Sequence, residues 1–306
     1  MVPAFDSEVG VYRGRFAPSP SGPLHFGSLI AALGSYLDAK AHQGKWLLRI
    51  EDIDSPRVVP GASDSILRTL DAFALHWDET VVYQSQRHDL YQHTLEKLQQ
   101  QGAIYACQCT RKQIKAFGGV YTNQCRDLSL CLEDNALRLK QQHPVAEFID
   151  RIQGPIHVDS DFANEDFIVK RRDGLFAYQL VVVLDDIGQG ITDIVRGADL
   201  LEPTVRQISL YQLLKQPIPR FAHLPLAVTE PGFKLSKQNH APAVDHRDPS
   251  PALVAALAFL GLEPPKELHL SPAENILSWA IAHWDINDIP KQTEILLAAQ
   301  SPSGDL

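Results

Sequence analysis

Two residues suited to binding phosphate, His25 and Lys237, stand in settings rich in glycine, proline and serine. The stretch Arg15-Phe16-Ala17-Pro18-Ser19-Pro20-Ser21-Gly22-Pro23-Leu24-His25-Phe26-Gly27-Ser28 sets an arginine, a turn-forming run and a histidine directly before an amphipathic segment. A helix opening there turns its free N–H groups and the positive end of its dipole toward an anion. Gly27 lets the backbone approach a ligand closely, and His25 can donate to a phosphate oxygen. Far downstream, Lys234-Leu235-Ser236-Lys237 follows Gly232. Lys237 can neutralise charge that builds on a leaving pyrophosphate. Taken singly, the histidine reads as a satisfied surface residue and the lysine as a solvated one. Their joint occurrence inside a doubly wound pattern predicts a triphosphate, ATP, held from both sides.

The elements that must position these residues follow from periodicity. Arg13 to Ala17 reads as a short strand stopped by Pro18, and Pro18 to Pro23 carries turn chemistry. Leu29, Ile30, Leu33 and Leu37 repeat at helical spacing, and Gly44 can end that helix. Trp46 to Ile50 reads as a strand with Glu51, Asp52 and Asp54 at its C-terminal end. Residues 63–75 and 86–101 read as helices, with Val81 to Tyr83 a strand between them. Strand alternating with helix predicts a parallel sheet covered by helices, with ligands beyond the C-terminal strand ends. Residues 19–28 and 51–54 fall there. Residues 176–184 read as a buried strand, 191–195 as a strand ending at Arg196-Gly197, and 203–214 as a helix. Ser271-Pro272-Ala273-Glu274 reads as a capping box opening a helix.

Bulk properties narrow the function. The chain has 306 residues, 44% of them hydrophobic, and 28 basic against 37 acidic side chains give a net charge of −9. RNA contact would therefore use a local patch rather than the global field. Arg111, Lys112 and Lys115 form one such patch, and Lys170, Arg171 and Arg172 another. No signal peptide and no run long enough to span a bilayer is evident, which favours the cytosol. The four cysteines, Cys107, Cys109, Cys125 and Cys131, crowd into one short region. Clustering of this kind favours a metal or reduced thiols over a disulfide scaffold. Thiolates suit tetrahedral Zn²⁺. Three of them leave a fourth position for Cys131 or another donor.

The motifs resemble a known family. Pro23-Leu24-His25-Phe26-Gly27-Ser28 is similar to the first signature of class I aminoacyl-tRNA synthetases, and Lys234-Leu235-Ser236-Lys237-Gln238 to the second. Arg15 to Gly22, Arg49-Ile50-Glu51-Asp52-Ile53-Asp54 and Gly190-Ile191-Thr192-Asp193-Ile194-Val195-Arg196-Gly197 resemble the glutamyl branch. The resemblance covers roughly residues 13–240. It implies a Rossmann-type doubly wound parallel sheet and an ATP site built from His25, Gly27, Ser28, Lys234, Ser236 and Lys237, with His25 and Lys237 catalytic and Mg²⁺ accompanying ATP. It also implies that Arg15, Phe16, Ala17, Pro18, Ser19, Glu51, Tyr178 and Arg196 line a glutamate pocket. The guanidinium fork of Arg15 or Arg196 matches a carboxylate, Glu51 would hold the α-ammonium group, and Tyr178 could hydrogen-bond the substrate. The alternative for Arg196 is a structural ion pair with Asp193 or Asp199.

A cysteine-x-cysteine, tyrosine, cysteine pattern marks glutamyl-Q tRNA(Asp) synthetases within this class. On that resemblance one structural zinc would sit on Cys107, Cys109, Tyr121 and Cys125, leaving Cys131 a small buried hydrophobe. Complete glutamyl-tRNA synthetases carry a large anticodon-binding region after the second signature, whereas residues 241–306 are too few for one. The layout thus implies a catalytic domain of residues 1–104 and 171–240, an inserted zinc-containing subdomain at 105–170, and a short helical C-terminal region at 241–306. The activity implied is tRNA-independent activation of L-glutamate with ATP, then transfer to queuosine at the wobble position of tRNA(Asp), by a cytoplasmic monomer without membrane association. Two other readings are open: a glutamyl-tRNA synthetase with a reduced C-terminal region that charges the 3′ end, and a non-catalytic RNA-binding relative.

Overall fold

The computed structural model of the chain describes residues 11–234 and 242–297. Ser236 and Lys237 of the second phosphate element lie outside the described residues, and of Lys234 only the backbone is described. The first half alternates as the periodicity predicts: β1 (Arg13–Phe16), α1 (Phe26–Ala41), β2 (Lys45–Ile50), α2 (Ala62–Ala72), β3 (Val82–Tyr83) and α3 (His88–Gln100). Then come β4 (Ile104–Cys107), α4 (Arg111–Ala116), β5 (Ala136–Leu139), β6 (Glu147–Asp150), β7 (Gly154–His157), α5 (Ser160–Asn164) and β8 (Ile168–Lys170). The remainder is α6 (Tyr178–Gly188), β9 (Asp193–Gly197), α7 (Thr204–Leu213), β10 (Arg220–Leu224), β11 (Leu226–Glu230), β12 (Phe233–Lys234), α8 (Ser250–Phe259), α9 (Ala273–Ala282) and β13 (Glu294–Leu296).

β1 and β3 flank β2 in parallel, while β9 and β6 flank β10 in parallel. The two sets meet at β1 and β9. There the Thr192 N–H donates to the Arg13 carbonyl at 3.0 Å and the Arg13 N–H donates to Thr192 Oγ1 at 2.9 Å. The chain therefore winds outward in both directions from β1 and β9, and a ligand belongs beyond the C-terminal ends of that pair. Arg15 and Phe16 end β1, and Arg196 and Gly197 end β9.

Each face of the sheet has its own core. One contains Leu29, Leu33 and Leu37 of α1, Ile66 and Leu70 of α2, and Leu253, Leu257 and Ile276 of α8 and α9. The other contains Tyr91 and Leu95 of α3, Leu180 and Val183 of α6, and Ile208 of α7. Full burial of a leucine contributes about 1.5–3 kcal/mol. The Leu29, Leu33 and Leu37 stripe is thus enough to fix α1, and with it the position of the helix N-terminus.

The structure corrects three expectations. Residues 176–184 are not a strand; Tyr178 onward is α6. Leu180 to Asp186 are all buried, so no polar face marks the 3.6-residue period, and a run of three valines imitates a strand. No capping box opens α9: its N-cap is Pro272 without a side-chain cap, and the Ser271 hydroxyl instead donates to the Glu267 carbonyl at 3.2 Å. Cys131 is exposed rather than buried. Within 105–170, β4, β5 and β8 make a separate antiparallel sheet, whereas β6 and β7 join the sheet of β9 and β10. Among the described residues no helix is long and apolar enough to cross a membrane.

Candidate active site

A cleft of about 410 Å³ opens at the C-terminal ends of β1 and β9. Phe16, Pro18, Ser19, His25, Gly27 and Ser28 lie along it, opposite Gly197 and Leu224 to Ala227. The turn before α1 is pinned from outside: the Glu51 N–H donates to the Pro18 carbonyl and the Val59 N–H to the Pro20 carbonyl. Gly22 has φ +140°, a backbone region open to glycine. Ala17 is half-buried in the same segment.

His25 is the N-cap of α1, and its Nδ1 accepts from the Ser28 N–H at 3.3 Å. A ring nitrogen that accepts carries no proton, so in the neutral imidazole Nε2 bears the hydrogen and can donate. The first turn of α1 contains no acidic residue to cancel the helix dipole. Histidine donor and helix N-terminus therefore present the same positive character to the cleft. β12 pairs with β11, whose Leu226 and Ala227 line the cleft, and Ala243 forms a β-bridge with His25. Of the described residues on either side of 235–241, Lys234 thus pairs with β11 and Ala243 lies beside His25.

Behind the cleft lies a buried charge cluster. Arg15 Nε donates to Asp186 at 3.0 Å, and the Arg15 Nη atoms make no hydrogen bond among the described residues. Arg49, fully buried, donates to Asp186 at 2.8 Å and to Glu51 at 3.2 Å. Burial pushes the Glu51 carboxyl upward, against the pull of Arg49 and Arg15. Burial likewise raises Asp186, but Arg15 and Arg49 outweigh it and hold that carboxyl below its ordinary range. Tyr178, half-buried at the start of α6, is pushed up to about 12 by burial and by Glu51, so its hydroxyl keeps its proton.

Arg196 is 5% exposed and has no carboxylate partner among the described residues. Its Nε donates to His223 Nε2 at 3.0 Å and one Nη to Thr204 Oγ1 at 2.7 Å. The other, Nη1, is buried without a hydrogen-bond partner, as is the Tyr211 hydroxyl. Neither Asp193 nor Asp199 forms the structural ion pair considered from sequence: Asp193 is bound by Arg151 and Arg220, and no ion pair joins Arg196 to Asp199 among the described residues. Burial lowers the Arg196 pKa, the mark of a desolvated cation lacking its counter-charge. Three guanidinium groups (Arg15, Arg49, Arg196) face two carboxylates (Glu51, Asp186), so the cluster is one negative charge short. Asp185, 3.8 Å from Arg49 at the edge of the cluster, does not fill the gap, because Arg87 takes it at 2.6 Å.

Away from this cluster, the Cys107, Cys109 and Cys125 sulfurs lie within 4.8 Å of one another. Cys125 and Cys109 approach to 3.5 Å. Tyr121 packs in the same buried group, and its hydroxyl accepts from the Cys125 N–H at 2.9 Å. The Arg138 guanidinium stacks 3.6 Å over the Tyr121 ring. Burial raises the Cys107 thiol, but Arg138 and neighbouring donors outweigh it and lower its pKa. Burial and Cys125 push Cys109 up to about 12.

Known proteins share this sequence pattern and fold. Residues 11–283 match the family "tRNA synthetases class I (E and Q), catalytic domain". The glutamyl-Q tRNA(Asp) synthetase of Photobacterium profundum is 58% identical over 286 residues, covering 94% of this chain and 92% of that one. The chain belongs to the glutamyl-Q tRNA(Asp) synthetase family. The enzyme of that name from Escherichia coli (strain K12) is 57% identical over 280 residues, 92% of this chain and 91% of its own. The glutamate-tRNA synthetase of Elizabethkingia anophelis superposes with a TM-score of 0.77 at 26% identity, over 95% of this chain and 69% of that one. The α/β fold is that of class I synthetases, a ligase class that uses ATP.

Among the described residues, the first signature and Gly197 of the glutamyl-branch motif line one cleft, but sequence reasoning missed much of the buried cluster behind it. Arg49 belongs to a recognised motif, yet nothing in its spacing shows that it bridges Asp186 and Glu51. Asp186, Tyr211, His223 and Asp150 carried no local signal, because each acts through a partner distant in sequence.

Proposed function

We propose that the chain activates L-glutamate with ATP and transfers it to queuosine in tRNA(Asp). The observation that carries this reading is the missing negative charge at Arg196, beside a cleft whose opposite side is a helix N-terminus capped by a histidine. A γ-carboxylate supplies the missing charge and fits the unpartnered Nη1 and the Tyr211 hydroxyl. Arg15 offers its Nη atoms to the same group, and Tyr178 donates a hydrogen bond. Glu51 takes the α-ammonium group, so Phe16 to Ser19 close the pocket around the amino-acid backbone.

In the first step an oxygen of the glutamate α-carboxylate attacks the α-phosphorus of ATP, and pyrophosphate leaves. The His25 Nε2–H and the N–H groups at the start of α1 stabilise charge on the phosphate oxygens. Gly27 and Ser28 give the phosphates close access, Lys234, Ser236 and Lys237 complete the site, and Mg²⁺ accompanies ATP. In the second step a hydroxyl of the queuosine diol attacks the α-carbonyl of the adenylate, and AMP leaves. A base splayed from an anticodon loop suits such a cleft, since RNA is commonly read in unpaired loops. A tRNA substrate places the reaction in the cytoplasm, and the chain acts as a monomer.

Zinc belongs to the cysteine cluster. A tetrahedral ion with Zn–S bonds of about 2.3 Å holds its sulfurs about 3.8 Å apart, in keeping with a triad already within 4.8 Å. Tyr121 supplies the fourth donor. The single hydroxyl proton of Tyr105 goes to Asp166 at 2.7 Å, so it is not spent on Tyr121. After accepting from Cys125, the Tyr121 oxygen keeps a lone pair for the metal. The ion would brace β4 and the loop after α4. Protein purified without chelators should contain about one zinc per chain, and Cys109→Ser should lose it together with thermal stability. A full zinc complement in Cys109→Ser, read by atomic absorption, would contradict the assignment.

Glutamate-dependent ATP–pyrophosphate exchange without tRNA tests the activation step. Exchange is expected with glutamate alone, and absence of exchange until tRNA is added would oppose the reading.

A further inference from the structure

Three adjacent parallel strands carry a relay that ends on Arg196. Asp150 closes β6, His223 lies in β10, and Arg196 sits directly across from His223 in β9. Asp150 and His223 are fully or almost fully buried, at 2% and 0% exposure. His223 Nδ1 lies 2.6 Å from Asp150 Oδ2, and its Nε2 lies 3.0 Å from Arg196 Nε. An arginine Nε–H can only donate, so Nε2 accepts and Nδ1 carries the proton toward Asp150. Burial holds the imidazole pKa down at about 4, which keeps the ring neutral and its acceptor available. Thr204 fixes the guanidinium from a second side: its own hydroxyl proton goes to the Leu200 carbonyl at 2.7 Å, leaving Oγ1 to accept from Arg196.

We propose that Asp150 and His223 are positioning residues for glutamate recognition: they hold His223 in the Nδ1–H tautomer so that its Nε2 anchors Arg196 Nε and leaves Nη1 for the substrate carboxylate. The arrangement fixes a buried cation without giving it a carboxylate partner, so its charge is not cancelled before the substrate arrives. A carboxylate in the place of His223 would hold the guanidinium more tightly and neutralise it. The inference rests on the reading of Arg196 as the partner of glutamate.

Asp150→Asn tests the relay without changing the shape of the core. Oδ1 of Asp150 accepts from three backbone N–H groups, those of Ile152, Gln153 and His223, at 2.9, 2.9 and 3.1 Å. In the variant the amide oxygen must keep those three bonds, so the NH₂ group faces His223 Nδ1. The imidazole then takes the other tautomer, and its Nε2–H opposes the Arg196 Nε–H, as a wrong tautomer disables an oriented histidine elsewhere. In glutamate-dependent exchange the KM for glutamate should rise about tenfold or more, with the KM for ATP within about twofold. Nitrogen-15 NMR should show the unprotonated nitrogen of His223 move from Nε2 to Nδ1. A changed tautomer with an unchanged glutamate KM would overturn the proposal, and so would a raised KM with the original tautomer. Should Asp150→Asn not fold, His223→Gln, which can still accept from Arg196 and donate to Asp150, should recover most of what His223→Leu loses; equal losses in the two would overturn it. Arg196→Ala separates the two levels. An unchanged glutamate KM there removes the reading of Arg196 itself, whereas a raised one beside a native-like Asp150→Asn removes only the relay.

Discussion

Arg196→Ala raises the KM for glutamate by about 10²- to 4 × 10³-fold and leaves the KM for ATP nearly unchanged. The size follows from what the substrate would lose. Removing one member of a buried charge pair costs about 3–5 kcal/mol, and each 1.4 kcal/mol is about tenfold in affinity. ATP is spared because the described phosphate element, His25 with the N-terminus of α1, lies at the start of α1, not at the end of β9. A second readout separates ligand binding from structure. Arg196 is buried without a carboxylate, so its desolvation is uncompensated in the free protein. Replacing it with methionine, of similar length and no charge, should leave the melting temperature at or above that of the native chain. A residue kept for folding would give the reverse: a lower melting temperature and near-native glutamate kinetics.

His25→Ala gives the other large effect, on the opposite wall. Loss of one donor to developing charge costs about 10²- to 10³-fold in kcat, and on the proposed mechanism the Nε2–H of His25 is such a donor. The variant also removes the side chain that accepts the Ser28 N–H, which loosens the first turn of α1. The expected pattern in pyrophosphate exchange is a collapse of kcat with a glutamate KM close to native. A raised glutamate KM with native kcat would place His25 at the amino acid and undo the division of the cleft into phosphate and carboxylate walls.

These two residues also show what the sequence could and could not reveal. His25 was legible because its chemistry is local: the histidine, the glycine and the apolar stripe of α1 are neighbours in the chain. Arg196 was legible as a motif, but not as an unpaired cation. That property depends on Asp193 being taken by Arg151 and Arg220, and on His223 arriving from β10. Long-range pairs such as Asp150 with His223, 73 residues apart, leave no spacing to read. The same limit explains α6. Its Leu180 to Leu184 run is buried on every side, and its environment is set by α3, α7 and the sheet rather than by its own pattern. The cysteine triad was local enough to find. The exposure of Cys131 was not, because nothing in the short segment between Cys125 and Asn135 marks which thiol faces solvent.

On the proposed mechanism, glutamate activated in this cleft is delivered to the modified base of tRNA(Asp). The most direct measurement incubates labelled glutamate and ATP with the protein and tRNA(Asp), with or without queuosine, and then maps the label by nuclease digestion. Label is expected on the anticodon-loop fragment of the queuosine-containing tRNA and none on the unmodified tRNA. Label on the 3′-terminal fragment, whether or not queuosine is present, would contradict it.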